Sequence, residues 1–228
     1  MATKKNEEVI VKIAKVEKKT LHVKLIGDTP LIMHAWSEKA KKMMLDAQQG
    51  KKSGKAKEFR NPVREFIDSM YWLSGKPELS SDATEEECEE AFNKAIENGA
   101  RFGFPATAFK QAGNSAAYRA GMVKNQAGLR AAWFIKANDG EFIEIHSDPP
   151  VMREDMVKIG MGTADLRYRG EFRNWTAEFD IEYCPQFGFD LDSIISVLDI
   201  GGMAGIGEWR PEKDGTFGMF HVDTGKKK

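Results

Sequence analysis

The chain has 228 residues, of which 41% are hydrophobic and 30% are charged, and its formal net charge is −1. This composition is typical of a globular protein with its own hydrophobic core, and it excludes low-complexity and collagen-like chains. Because no segment has the apolar length of a membrane-spanning helix or of a signal peptide, we expect a cytoplasmic protein. The two cysteines stand in unrelated contexts and no metal motif or Walker sequence occurs, so we expect no disulfide, bound metal or cofactor.

The N-terminal half predicts a strand followed by two helices. Residues 21–26 alternate apolar and polar side chains, which predicts a strand, and an irregular turn with a proline follows. Apolar residues recur at helical spacing over residues 36–48. After a basic and an acidic stretch, Thr84 and Glu87 form a capping-box pattern, which predicts the start of the second helix.

Residues 104–121 predict a third helix whose two ends are both marked. Pro105 suits the first turn of a helix, and Gly121 suits its C-terminal cap. One face of this helix carries small or apolar side chains that we expect to pack on a sheet. These side chains are Ala106, Phe109, Ala112, Ala116 and Ala120.

The C-terminal half predicts mainly strands. Residues 133–145 resemble a hairpin that turns at the sequence Asn-Asp-Gly. Residues 174–183 alternate strictly, and residues 165–170 alternate before them, so we expect these two segments to form an antiparallel pair. A helix then follows, with Asp190 as its N-cap and Gly201 as its end.

A last strand over residues 217–222 completes the order strand, helix, two strands, helix, strand, once insertions are set aside. This order predicts an α+β protein with an elaborated ferredoxin-like (RRM-like) antiparallel sheet, helices on one face and large insertions. We expect one elaborated domain over residues 1–228, in which residues 50–103 form an insertion lobe with the basic loop and the capped helix.

Positive charge is concentrated in residues 51–64, where six cations face a single acid, Glu58. A basic stretch with Gly and Ser is typical of a loop that contacts a polyanion, although a plain solvated loop has the same composition. The residues that we expect to contact nucleic acid here are Lys51, Lys52, Lys55, Lys57 and Arg60.

Residues 201–220 contain six of the chain's 21 glycines. Such density indicates strained turns or a backbone that another group approaches closely. We expect the amides around Gly205 and Gly207 to hold phosphate oxygens. Arg210 would add positive charge, and Trp209 would stack on an unpaired base. The alternative is a helix cap followed by a passive loop, with the Trp side chain in the core.

A basic and aromatic cluster over residues 167–175 offers a second contact for a single strand. Three acids on the expected neighbouring strand offer cross-strand ion pairs instead. These acids are Glu178, Asp180 and Glu182. We expect ion pairs for Arg167, and nucleic-acid contacts for Arg169 and Arg173 nearer the turn. Lys110, on the polar side of the third helix, either extends this groove or is solvated.

Three segments resemble the RAMP superfamily of CRISPR-associated proteins, above all the backbone subunits that bind guide RNA. The segments are "LHVKLIGDTPLIMH", "FPATAFKQA" and "GGMAGIGEWRPEKDGTFGMF", and with their scaffold they cover about half of the chain. The chain departs from the family's pattern at Gln111 and Asn114, where the family often has Gly and Arg, and in the Trp-Arg-Pro of its loop. The resemblance implies a remote relative, encoded by a phage or mobile element, in a bacterial cell.

The resemblance also implies two alternative catalytic residues. RNA-processing endonucleases of this superfamily place a general acid–base histidine in the turn after the first strand, where His34 stands. Some backbone subunits cleave target RNA with an acid in the same turn, where Asp28 stands. We interpret His34 as structural, because no partner is recognisable by spacing, and Asp28 as a turn former.

We therefore expect a non-enzymatic protein that binds single-stranded nucleic acid, RNA rather than DNA, and that forms homo-oligomers along the strand. Three alternatives stay open. They are a phage protein that binds and anneals single-stranded DNA, an RNA endonuclease that uses His34, and a phage protein that imitates a CRISPR subunit. The near-zero net charge keeps the last of these open.

Overall fold

The structure is a computed structural model that describes residues 15–36, 38–50, 60–159 and 162–225. Six α-helices lie in these ranges: α1 (Glu38–Gln48), α2 (Pro62–Asp68), α3 (Glu85–Glu97), α4 (Ala106–Arg119), α5 (Gln126–Ala132) and α6 (Leu191–Ala204). The ten strands described are β1 (Lys19–Gly27), β2 (Leu31–Met33), β3 (Trp72–Ser74), β4 (Arg101–Pro105), β5 (Trp133–Lys136), β6 (Phe142–His146), β7 (Val151–Ile159), β8 (Thr163–Phe172), β9 (Thr176–Tyr183) and β10 (Phe220–Val222). The predicted α+β class is confirmed.

The larger sheet has the strand order β10–β1–β9–β6–β4–β3, with β5 also beside β9, and its neighbouring strands are antiparallel. Every second residue of β9 is buried, as the alternation in the sequence predicts. Helices α4 and α6 pack against each other on this buried face. There the ring of Phe109 in α4 lies 5.6 Å from Phe179 of β9 and 5.9 Å from Phe220 of β10.

A second sheet has the order β2–β8–β7, so the predicted pairing of residues 165–170 with residues 174–183 is wrong. β8 instead pairs with β7 over nine residue pairs and with β2 over three. The chain turns between the two sheets at Asn174, whose φ is 50°, and Trp175 then enters the core. Alternation identifies both strands, but it carries no information on which strand is the neighbour.

The hairpin predicted over residues 133–145 is also wrong, because β5 and β6 both pair with β9. Trp133 lies opposite Tyr183, whereas Ile145 lies opposite Ala177 further along the same strand. A tight turn does occur at the predicted sequence, where the Phe142 amide donates to the Asp139 carbonyl at 2.9 Å. The turn therefore closes a loop within an interrupted strand, and β6 also pairs with β4 on its other side.

The predicted cap signals of α3 and α4 are confirmed, but the predicted apolar face of α4 is partly wrong. The Glu87 amide donates to Thr84 Oγ1 at 3.2 Å, and the Thr84 amide donates to Glu87 Oε2 at 2.9 Å. Pro105 ends β4 and caps α4, and Gly121 follows the C-cap with φ 73°. The buried stripe passes through Ala117 rather than Ala116, and Ala120 is exposed.

Residues 60–103 share the hydrophobic core with the larger sheet. The rings of Phe66 and Phe92 lie 5.0 Å apart, which joins α2 to α3. Phe102 of β4 in turn contacts Phe172 of β8 at 5.2 Å. Within the described ranges, this region therefore packs on both sheets.

Helix α6 begins as predicted but does not end at Gly201. Asp190 caps it by accepting the Ser193 amide at 2.9 Å. The helix continues through Gly201 and Gly202 to Ala204. A Cβ at Gly201 would lie 2.7 Å from the amide nitrogen of Gly113 in α4, and a Cβ at Gly202 would overlap the carbonyl oxygen of Phe220. These two glycines let the backbone of α6 touch both α4 and β10.

We expect Gly202→Ala to destabilise the protein by about 1–3 kcal/mol or more, because the added methyl group meets a strand backbone that cannot move aside. Gly128→Ala is the matched control, since Gly128 is also helical but its Cβ would point into open space. That change should be neutral or stabilise by about 0.5–1 kcal/mol. Chemical denaturation of both variants measures the difference, and equal stabilities would contradict this packing.

Candidate functional site

The glycine-rich loop, residues 205–219, is folded back on the protein by main-chain hydrogen bonds. Its amides donate to carbonyls of β2, of the turn before β2 and of the loop itself at 2.8–3.0 Å. The amides concerned are those of Ile206, Glu208, Phe217 and Gly218. An amide that already donates to a carbonyl does not hold a phosphate oxygen, so most of the predicted phosphate cradle has a protein partner.

The group that approaches Gly205 and Gly207 is the protein itself. Both residues have positive φ, 72° and 78°, a region that favours glycine. A Cβ at Gly207 would lie 2.5 Å from the Ile32 carbonyl oxygen, and a Cβ at Gly205 would lie 2.8 Å from Pro211 Cδ. Close packing of the loop on β2 and on its own turn therefore accounts for these two glycines.

The loop covers a charged cluster on one face of β7 and β8. Strand alternation places four charged residues on that face: Arg153, Asp155, Arg169 and Glu171. Arg169 Nη1 lies 3.1 Å from Asp155 Oδ2, Arg153 Nε lies 2.8 Å from Asp155 Oδ1, and Arg153 Nη1 lies 3.1 Å from Glu171 Oε2. Arg153 also lies 4.5 Å from the ring of Phe217 in the loop. Arg169, which we predicted to contact nucleic acid, is only 5% exposed and is held in this cluster.

Asp155 is the carboxylate at the centre of the cluster. Burial alone would raise its pKa, but hydrogen bonds from Arg153, Arg169 and Trp209 outweigh burial and hold the pKa below its usual value. Trp209 is therefore neither fully buried nor a free platform: it lies close enough to Asp155 to lower the pKa of that carboxyl, and the residue is 38% exposed. Its φ of 53° is strained for a bulky residue, and this contact helps to hold it.

His34 lies at the edge of the cluster, next to a carboxylate that sequence spacing did not reveal. Its Nδ1 is 3.4 Å from Arg169 Nη2 and 3.6 Å from Glu208 Oε1. Glu208 Oε2 is 3.9 Å from Arg169 Nη2. Contact with His34 is the main cause that keeps the pKa of Glu208 below its usual value. Burial acts in the opposite direction, and the charges of Arg169 and Arg210 lower the pKa further.

A cleft of about 290 Å³ opens between the first turns of α4 and the glycine-rich loop. Its apolar lining comes from Tyr71, Phe104, Pro105, Ala108, Ala112 and Ile206. Its polar lining includes His34, Thr107, Gln111, Glu208, Arg210 and Glu212. The cleft thus joins three sequence features, namely His34 directly after β2, the helix that Pro105 caps and the glycine-rich segment.

Other predicted contacts are already occupied by protein groups. Arg60 donates to Glu65 and Asp165 at 2.6–2.7 Å, and these bonds raise its pKa. Arg210 donates to Glu212 at 3.0 Å and to the Gly207 carbonyl at 3.0 Å, so it braces the loop.

Two further predicted contacts also have partners within the protein. Arg173 donates to Glu171 at 2.7 Å, although its side chain is 59% exposed. Lys110 donates to the Arg130 carbonyl at 2.8 Å and lies 5.9 Å from the Trp133 ring, and burial lowers its pKa. The four predicted lysines, Lys51, Lys52, Lys55 and Lys57, lie outside the described residues.

The open face of the larger sheet is an ion-paired surface. Glu178, Asp180 and Glu182 lie on β9, as predicted, but their partners are not the arginines of β8. Lys24 Nζ lies 3.1 Å from Glu178, His22 Nδ1 lies 2.9 Å from Asp180, and Lys136 Nζ lies 3.2 Å from Glu182. The cross-strand partners therefore come from β1 and β5, and Arg167 pairs instead with Asp165 at 3.0 Å.

The second alternative catalyst, Asp28, is an exposed residue in the turn between β1 and β2. Its Oδ1 lies 2.7 Å from His221 Nδ1, beside β10. It is not among the residues that line the cleft.

Comparison with known proteins finds no family model that matches this chain and no curated protein that matches it. Among the described residues, no helix has the length and apolar character needed to span a membrane. The same residues contain no group of three or more His, Cys, Asp or Glu side chains that fits a metal ion.

We expect Asp155→Asn to lower the free energy of unfolding by about 3–5 kcal/mol at neutral pH, because it leaves the buried Arg169 uncompensated. Asp165→Asn is the control on the same hairpin. Asp165 pairs with the more exposed Arg60 and Arg167, so its loss should cost about 1 kcal/mol or less.

The pH dependence of this effect has a definite sign. Because the pKa of Asp155 is lower in the folded protein, its stabilisation is present above the unfolded value of about 3.9 and is lost as the pH falls through the folded value. The gap between wild type and Asp155→Asn should therefore narrow below about pH 4. Chemical denaturation at neutral and acid pH measures it, and a gap that widens with acid would contradict the assignment.

Proposed function

We propose that the protein binds single-stranded nucleic acid, RNA in preference to DNA, does not cleave it, and self-associates along the strand. The observation that carries the proposal is the basic segment 51–57, in which four of seven residues are lysines and none is acidic. Such a segment attracts phosphates without reading sequence.

Four arginines among the described residues support this assignment, because their charges are already paired within the protein. Arg153, Arg169, Arg173 and Arg210 each pair with a carboxylate of the protein. Their charge is balanced within the fold, so they add little to the field that a strand meets. We therefore assign the phosphate contacts to the lysines and not to the arginines.

The described residues that flank the basic segment are connected to elements that carry cleft residues. The chain passes from His34 through α1 into the segment. Directly after it, Arg60 donates to the Leu166 carbonyl of β8 at 2.7 Å. β8 also carries Arg169, which contacts His34 at the cleft. These connections support a single binding surface that joins the lysines to the cleft.

We also propose that the core is ferredoxin-like. The order β10–β1–β9–β6, with antiparallel neighbours and with α4 and α6 packed on one face, supports this assignment. In chain order these elements read strand, helix, strand, strand, helix, strand, if β5 and β6 count as one interrupted strand. The same order supports the proposed distant relationship to the RAMP superfamily.

Replacing Lys51, Lys52, Lys55 and Lys57 together with alanine should weaken binding of all strand sequences alike. It should also flatten the fall of affinity with salt, because fewer counterions are released. Fluorescence anisotropy with labelled uridine strands over a range of salt concentrations measures both effects.

The control for this variant removes four exposed lysines elsewhere, Lys94, Lys124, Lys136 and Lys213, so that net charge changes equally. If both variants bind alike, the basic segment is not the contact. Competition with DNA of the same length tests the preference for RNA, and tighter binding of DNA would favour the alternative of a strand-annealing protein.

An RNA endonuclease is the second candidate, and the contact between His34 and Glu208 at the cleft favours it. In that mechanism His34 would take the proton of a 2′-hydroxyl, and Glu208 would orient the ring. We expect no such cleavage, because Arg169 already occupies the neighbourhood of Nδ1.

Incubation of labelled RNA with wild type and His34→Ala, without metal, decides between these functions. Intact RNA in both samples is the expected result. Cleavage by wild type that disappears in His34→Ala would replace the binding function with the endonuclease.

A further inference from the structure

The cleft has the size and walls of a site for one planar group. Its volume of about 290 Å³ lies just below the range of about 300–1,000 Å³ that holds drug-sized ligands. The ring of Tyr71 forms part of the wall and is itself supported by Phe104 at 5.7 Å. Aromatic walls of this kind stack on unpaired bases.

Glu208 is the acceptor that this cleft offers to a ligand. Its partners among the described residues are His34 at 3.6 Å and Arg169 at 3.9 Å, both beyond hydrogen-bond distance. Its side chain is 44% exposed, and a glutamate carboxyl is ionised at neutral pH. Both of its oxygens therefore retain acceptor capacity.

Glu212, the other carboxylate of the lining, offers no such capacity. It already accepts from Ser115 at 2.8 Å and from Arg210 at 3.0 Å. Arg119 Nη2 lies 3.1 Å from Glu212 Oε1 as well, and the Glu212 side chain is only 12% exposed.

The charges around Glu208 select for a neutral ligand. The positive charges of Arg169 and Arg210 lie near the carboxylate, so a guanidinium or ammonium group meets repulsion there. The two carboxylates of the lining disfavour a phosphate. A neutral group with two parallel N–H donors satisfies both conditions, and among bases the N1–H and N2–H edge of guanine has this arrangement.

We infer that the cleft binds a guanine base, stacked against Tyr71 and hydrogen-bonded through N1–H and N2–H to the carboxylate of Glu208. The inference rests on the proposed function, because it makes the cleft the base-reading part of the single-strand site. The lysines then hold phosphates, and the cleft adds a preference for strands that present an unpaired guanine.

Calorimetric titration of the full chain with guanosine and inosine monophosphates tests the pocket directly, since these two probes differ only in the N2 amino group. We expect the guanosine nucleotide to bind at least about tenfold more tightly, because a hydrogen bond to a charged acceptor is lost with inosine. Equal affinities, or no binding of either nucleotide, would overturn the inference.

Glu208→Gln keeps the shape of the side chain but replaces one acceptor with a donor. It should bring the guanosine nucleotide down to the affinity of the inosine nucleotide. Glu89→Gln, an exposed glutamate on α3, is the matched control and should keep the full preference. An unchanged preference in Glu208→Gln would overturn the assignment of the acceptor.

Short uridine strands that carry one guanosine or one inosine separate this inference from the proposed function. Salt-dependent binding with equal affinity for the two strands would overturn the guanine site and leave strand binding intact. Preference for the guanosine nucleotide without any strand binding would overturn the proposed function and leave the guanine site intact. Tighter binding of N-acetyl-arginine amide than of the guanosine nucleotide would overturn the guanine site in favour of a protein partner.

Discussion

The contact of the α6 backbone with α4 and β10 is the constraint on which the rest of the structure depends. At Gly201 the helix meets the backbone of Gly113, and at Gly202 it meets the carbonyl of Phe220. No other residue type fits at such separations. Because the helix continues through this contact to Ala204, it delivers the chain beside the start of α4.

The position of the loop then determines the charged cluster and the cleft together. Main-chain bonds fix the loop on β2, where the Glu208 amide meets the Ile32 carbonyl. This register directs Trp209 to Asp155 and the Glu208 side chain to His34. The buried charges of β7 and β8 would be costly without a cover, and the loop provides one. The strain at Trp209 is tolerated because its surroundings over-determine it.

Local patterns predicted the type of several elements, but not what those elements touch. The capping box at Thr84 and the alternation of β9 depend on neighbours in sequence, and both are confirmed. The pairing of β8 depends on a choice among strands that all alternate, so the sequence does not determine it. The density of glycine correctly indicated close approach. Glycine density could not distinguish a phosphate from a protein carbonyl, since it does not show which group approaches, and Ile32 is remote in the chain. For the same reason Glu208 was missed as the partner of His34.

The net charge of −1 is a sum over segments of opposite charge and does not describe any one part of the surface. On the open sheet face and beneath the loop, acids and bases cancel over a few ångströms. The exposed acids of α3 and the lysines of residues 51–57 belong to different segments. At physiological salt, fields decay over about 8 Å, so the field at a point on the surface reflects the nearest charged segment and not the sum over the chain.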